Sequence, residues 1–268
     1  MKLILISIFM SIFTTIFATI IIGNVEKIDG TVKVKSEGSI RKKRVRSGFE
    51  IKEGDLIITS RKASAVLKLV DGSTLVLDAS SSILFNSVAD ASQVDGKIYY
   101  NITSRDAKNS LKVKTPFAII GIKGTTFIVN ATKNSSVTLK EGLIGVTSIK
   151  EEFELYRKAV QAEFNNYVSS QMSEFEKFKS QQNKYATPVK TKEFDLKAGN
   201  RISFNNKRVN EDAWSKDDDA EFTHFEALIL NKTQKSKEKI INNSSSDDDW
   251  DDSDDDEFDA IEASIYKK

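Results

Sequence analysis

The chain has 268 residues, 39% of them hydrophobic and 29% charged, and it contains no cysteine. That composition excludes a disulfide framework and any thiolate metal site, and it points to a compact part joined to solvated parts. The formal net charge of +1 hides an asymmetry: residues 24–150 hold 21 Lys and Arg against 12 Asp and Glu, and residues 151–268 hold 18 against 27. A basic body and an acidic remainder can meet each other or separate partners.

Met1 and Lys2 precede an uncharged apolar run from Leu3 to Ile22. One basic residue, an apolar run and a polar continuation read as an export signal. The run is also long enough to span a bilayer as a retained anchor. Both readings put the rest of the chain outside the cytoplasm.

Residues 23–150 read as many short strands. Val32 and Val34 alternate with Lys33 and Lys35, and the apolar positions of 65–77 flank Asp71-Gly72, a hairpin turn signal. Turn signals recur along the segment, so an all-β sandwich, barrel or solenoid is expected. In Thr115–Val129, Pro116 belongs at a strand start or edge, and Gly121 and Gly124 mark bulges, corners or close backbone contacts.

Residues 151–186 change period. Phe153, Tyr156, Val160, Phe164, Tyr167, Phe175 and Phe178 recur at threes and fours, which predicts one long amphipathic helix. Its aromatic stripe either packs on the β body or, through Phe164, Tyr167 and Phe175, meets a partner helix or a second copy as a coiled coil. Residues 187–210 return to strand alternation (Phe194, Leu196, Ile202, Phe204). Residues 211–241 are weakly helical, with Trp214, Phe222, Phe225, Leu228 and Ile229 on one face. Residues 242–268 form a low-complexity acidic tail, expected to be disordered by self-repulsion. Its carboxylates offer weak calcium ligation at most, since no spaced loop of acidic ligands is present.

Chemistry is sparse. His224 is the only histidine, and a lone histidine supports no Ser-His-Asp or Cys-His site. No phosphate loop, dinucleotide fingerprint or zinc-protease motif occurs. Asp55 and Asp71 each adjoin a glycine and serve turn geometry. Nothing calls for a cofactor or a metal, and no enzyme is expected. The remaining feature is the basic cluster Arg41, Lys42, Lys43, Arg44 and Arg46. It is either a solvated loop or a docking site for a phospholipid surface, a polysaccharide or the chain's own acidic tail. Nucleic acid would match the charge, but export argues against it.

Thr115, Pro116, Gly121, Gly124, Thr125 and Phe127 form a TP-x-A-x-x-G-x-x-GT-x-F pattern that resembles the signature of the FecR periplasmic domain family. Gly54-Asp55, Asp71-Gly72 and Glu141-Gly142 resemble further elements of that family in the same order. The resemblance spans residues 24–148, with 193–205 as a final piece. It implies a mainly β fold, a solenoid-like stack of short strands, with the 151–186 helix as an insertion. It also implies a periplasmic location and a protein partner. FecR regulators carry a cytoplasmic anti-sigma arm ahead of their membrane helix, and only Met1 and Lys2 stand there in this sequence. A non-catalytic binding or scaffold module of the cell envelope is therefore expected first, and an accessory component of transmembrane signalling second.

Overall fold

The computed structural model describes residues 20–103, 111–157 and 188–230. These are mainly β: strands β1–β20, numbered in chain order, form two sheets with one helix, α1 (Lys216–Leu230). The first sheet runs β17 (Val189–Thr191), β16 (Phe153–Arg157), β20 (Arg208–Ala213), β19 (Asn200–Asn205), β14 (Ser136–Glu141), β13 (Thr126–Asn130), β10 (Lys97–Asn101), β7 (Thr74–Leu77), β6 (Ser64–Leu69), β1 (Ile21–Asp29), β4 (Glu50–Lys52). The second runs β18 (Glu193–Lys197), β15 (Leu143–Ser148), β12 (Ala118–Ile122), β11 (Leu111–Lys114), β9 (Asp90–Asp95), β8 (Ser82–Ser87), β5 (Leu56–Thr59), β2 (Val32–Lys35), β3 (Lys43–Arg44). Early strands lie at one end of both sheets and late strands at the other.

Period-two alternation explains the core. Val32, Val34, Leu67, Leu75, Ile98, Tyr100, Ile120, Phe127, Val137 and Val146 point between the two sheets and share one buried cluster. Tyr100 and Phe127 stack there with ring centroids 4.7 Å apart. The central strands of the first sheet are apolar on both faces, as in the Thr74–Leu77 run. A strand covered on both sides reads as a continuous apolar run. What covers the outer face is α1.

Cross-strand pairs align Val66 with Val76, Val76 with Tyr99, and Tyr99 with Ile128 in one row on that face. Phe222 and Phe225 of α1 are buried against the row, with Trp214, Leu228 and Ile229 packed around them. Phe225 stacks on Tyr99 at 5.8 Å and Phe222 meets it edge-on at 5.9 Å. Burying each ring stabilises by about 2–3 kcal/mol.

Both ends of α1 are fixed by residues distant in sequence. Ser215 and Asp218 form a capping box: the Asp218 Oδ2 accepts from the Ser215 amide at 2.9 Å and from its hydroxyl at 2.6 Å. The other carboxylate oxygen of Asp218 accepts from Arg201 on β19 at 3.0 Å. The last turn of α1 carries no basic residue of its own. Lys27 of β1 supplies one, donating its Nζ to the carbonyls of Leu228 at 3.0 Å and Ile229 at 2.7 Å. A cation at that end satisfies orphan carbonyls and opposes the helix dipole. Lys97–Glu221 and Lys140–Glu226 ion pairs tie the middle of the helix to the sheet.

Two sequence expectations change. Phe153–Arg157 is not the first turn of a helix but strand β16, parallel to β20 and antiparallel to β17. Phe153 and Leu155 are buried and their neighbours are not, so the two-residue period wins there over the 153/156 spacing. The rest of that predicted helix, 158–186, lies outside the described residues. Its bracketing strands are paired, Leu155 opposite Val189, so the segment leaves and re-enters the sheet at one place. Ile21 and Ile22, assigned above to the apolar leader, belong to β1, where Ile22 is buried. The leader up to residue 19, residues 231–241 of the weakly helical region and the acidic tail 242–268 are outside the described residues. Among the described residues no helix is long and apolar enough to cross a membrane.

Phe225→Ala should cost about 3–5 kcal/mol, read as a lowered midpoint in chemical denaturation. Alkaline pH tests the same layer. Burial, aided by the Glu226 carboxylate, pushes the Tyr99 hydroxyl up to about 12, and burial raises that of Tyr100. The folded state therefore keeps protons that an unfolded tyrosine gives up near pH ~10. Stability should be full below that pH and fall as pH rises towards 12. Tyrosinate absorbance should appear together with unfolding, and Tyr99→Phe should flatten the loss.

Candidate binding surface

The motif residues build turns. Pro116 sits at neither a strand start nor an edge but in the tip of the β11–β12 hairpin. Thr115 closes that tip: its amide donates to the Ala118 carbonyl at 2.9 Å, its hydroxyl donates to the same carbonyl at 2.8 Å, and the hydroxyl accepts from the Ala118 amide at 3.0 Å. Phe117 then reaches Phe204 at 4.3 Å. Gly124 is a corner, with φ of 76°. Gly142 closes the same corner: at φ of 91°, a Cβ there would lie 2.5 Å from Thr125 Cγ2 and 2.8 Å from the Gly124 carbonyl. Glu141 pairs with Thr126 beside a bulge. Gly121 behaves differently. It is a regular strand position opposite Gly145, with room for a methyl group, so the expected bulge or close contact is absent there.

Asp55 and Asp71 also serve turns. The buried Asp55 carboxylate accepts from the Lys52 amide at 2.8 Å, and Gly54 before it has φ of 82°. Asp71 accepts from the Ser73 amide at 3.0 Å and from its hydroxyl at 2.7 Å, ahead of Gly72 at φ of 85°. Thr103 ties this hairpin to the strand beside it by donating to the Asp71 carbonyl at 3.0 Å. The Asp55 and Asp71 carboxylates are both engaged in turn geometry.

Among the described residues, no reactive constellation gathers elsewhere. His224 is exposed on α1, edge-on to Phe225. Among the described residues, no three His, Cys, Asp or Glu side chains group to hold a metal ion. A polar pocket beside the start of α1 is lined by Lys97, Asn130, Ser136, Arg201, Asp217 and Glu221. Two of its charges, Lys97 and Glu221, pair with each other, and Arg201 is committed to Asp218.

Residues 55–145 match the family model described as FecR protein. This segment is a FecR domain.

Two crystal structures, both of a "putative anti-sigma factor" from Parabacteroides distasonis ATCC 8503, share 14% identity and a TM-score of 0.41 with the chain. The likeness covers 60% of this chain and 60% of theirs, less than two thirds of their length. No curated protein matches. The FecR match spans the chain from the Asp55 turn to β15 and contains every motif turn described above except Gly54.

The basic cluster lies outside that match, on the edge of the second sheet. Lys43 and Arg44 form β3, the last strand of that edge, with Lys33 directly opposite Arg44. Val45 turns inward and anchors the strand, its amide donating to the Val32 carbonyl at 2.9 Å. Arg41, Lys43, Arg44 and Arg46 are left exposed and Lys42 half-exposed. Ile40, at the head of the cluster, is 96% exposed. Sequence reading passes over Ile40 and Lys33; the Val-Lys alternation of 32–35 is the signal that finds Lys33. Phe164, Tyr167 and Phe175 lie outside the described residues.

Gly124→Val should destabilise the FecR domain, since a branched side chain is strained at positive φ. Gly121→Ala should leave the melting temperature nearly unchanged. Equal losses in the two variants would sink the corner assignment.

Proposed function

We propose that this protein is a non-enzymatic FecR-type binding module that holds a protein partner outside the cytoplasm. The FecR match over residues 55–145 carries the reading. The uncharged run from Leu3 supports export. Support for a non-catalytic role comes from the Asp55 and Asp71 carboxylates, both held in turns. The family match favours a regulatory part in transmembrane signalling, and an envelope scaffold is the second reading.

The docking surface in this proposal is the basic β3 edge, Arg41–Arg46. A charged rim steers encounter and sets specificity. Crosslinking capture from intact envelope, followed by mass spectrometry, tests it. R41E/R44E/R46E should lower capture roughly tenfold or more, at up to ~1 kcal/mol per exposed pair, and the wild-type signal should weaken with salt. Salt-independent capture that survives the reversal would move the surface elsewhere. A signalling protein among the captures supports the regulatory role; secretion or wall-assembly components support the scaffold.

A further inference from the structure

We infer that the acidic segment 247–257 of this chain docks on its own basic edge and masks it. Three observations lead there. The first is charge. Residues 32–46 hold seven Lys and Arg against a single acid, Glu37, and residues 247–257 hold nine carboxylates around Trp250. The second is an apolar match: Ile40 stands 96% exposed inside the basic loop, and Trp250 is the one apolar residue of the acidic run.

The third is where α1 delivers the chain. The helix starts at Arg201 on β19 and ends at Lys27 on β1, six strand positions away in the first sheet. Six spacings are about 29 Å and fifteen helical residues about 22 Å. The long side chains of Arg201 and Lys27 bridge the difference. The chain therefore leaves α1 at β1. The basic loop is hydrogen-bonded to that same strand: the Gly48 amide donates to the Val25 carbonyl at 2.7 Å and the Val25 amide to the Phe49 carbonyl at 2.8 Å. Val25 is two residues from Lys27. α1 thus ends on the same strand that holds the chain just after the basic cluster.

Residues 231–246 separate the helix from the acidic run. Sixteen residues reach up to ~50 Å when extended and average about 22 Å as a flexible coil. A tether of that length gives an effective concentration in the millimolar range, so weak exposed ion pairs are enough to populate the docked state. An external anionic partner would have to compete with the tail. The regulatory consequence rests on the binding surface proposed above; the docking itself does not.

The absence of cysteine allows clean site-specific labelling. Spin labels at Ser47→Cys and Ser253→Cys in the full chain, with no partner present, report the separation by pulsed electron resonance. A short-distance peak is expected at low salt. It should disappear at ~1 M salt, where charges are screened within ~3 Å. It should also disappear when R41E/K43E/R44E is added, and when the aspartates of 247–256 are changed to Asn, a variant that leaves the β domain untouched. A distribution that no charge change alters would overturn the inference, even if anionic vesicles bound the edge, because the edge would then serve an outside partner. Partner capture can fail with this peak intact, and the peak can fail with capture intact, so the two readings are separable.

Discussion

The structure depends on one layer: α1 laid across the outer face of the first sheet. The row Val66, Val76, Tyr99 and Ile128 would otherwise present apolar surface to water. A sheet face of this kind needs cover or it invites association. Phe222 and Phe225 provide the cover, and two long cations provide the placement. Arg201 meets Asp218 at the start of the helix and Lys27 meets the last carbonyls at its end. A fifteen-residue helix is marginal alone. Here packing and both termini act together, and the helix becomes a strap joining late strands to the earliest one.

That strap links the FecR domain to chain on either side of it. The matched segment begins at residue 55 and ends at 145, yet its central strands are completed by β1 before it and by β19, β20 and α1 after it. The pattern glycines and aspartates act inside the match as turn residues. The basic cluster lies outside it, at β2–β3, and the acidic run follows α1 in the sequence. The motif turns hold the frame, and the flanks carry the charge.

The two outer faces differ in the same sense. The first sheet is covered by α1. The second has a small apolar cluster of Leu56, Ile58 and Leu84 with Val94, next to lysines of β2 and β11. Ion pairing such as Lys114–Asp90 at 3.0 Å keeps that face polar without a helix. Its β3 edge is two residues long and wholly cationic, and short charged edges resist strand addition by other chains. Selective anion docking is compatible with such an edge and backbone pairing is not favoured.

Local chemistry made much of this legible in the sequence. Alternation in 32–35 and the apolar positions of 65–77 around Asp71-Gly72 identified strands, because side-chain period is a property of the strand itself. Asp71-Gly72 and Gly124 identified turns, because positive φ selects glycine. The stripe of Trp214, Phe222, Phe225, Leu228 and Ile229 identified a helix face. Pairing is a long-range property, and there the tertiary structure decided. Phe153–Arg157 fits a helix by its 153/156 spacing and a strand by its 153/155 spacing; only β17 and β20 on either side settle it as a strand. Gly121 looked like Gly124 in one dimension, but its neighbour is Gly145 and no corner is needed. Nothing in the residues around Lys27 foretells that it ends a helix 200 residues later, since two chain segments meet there only after both sheets have formed.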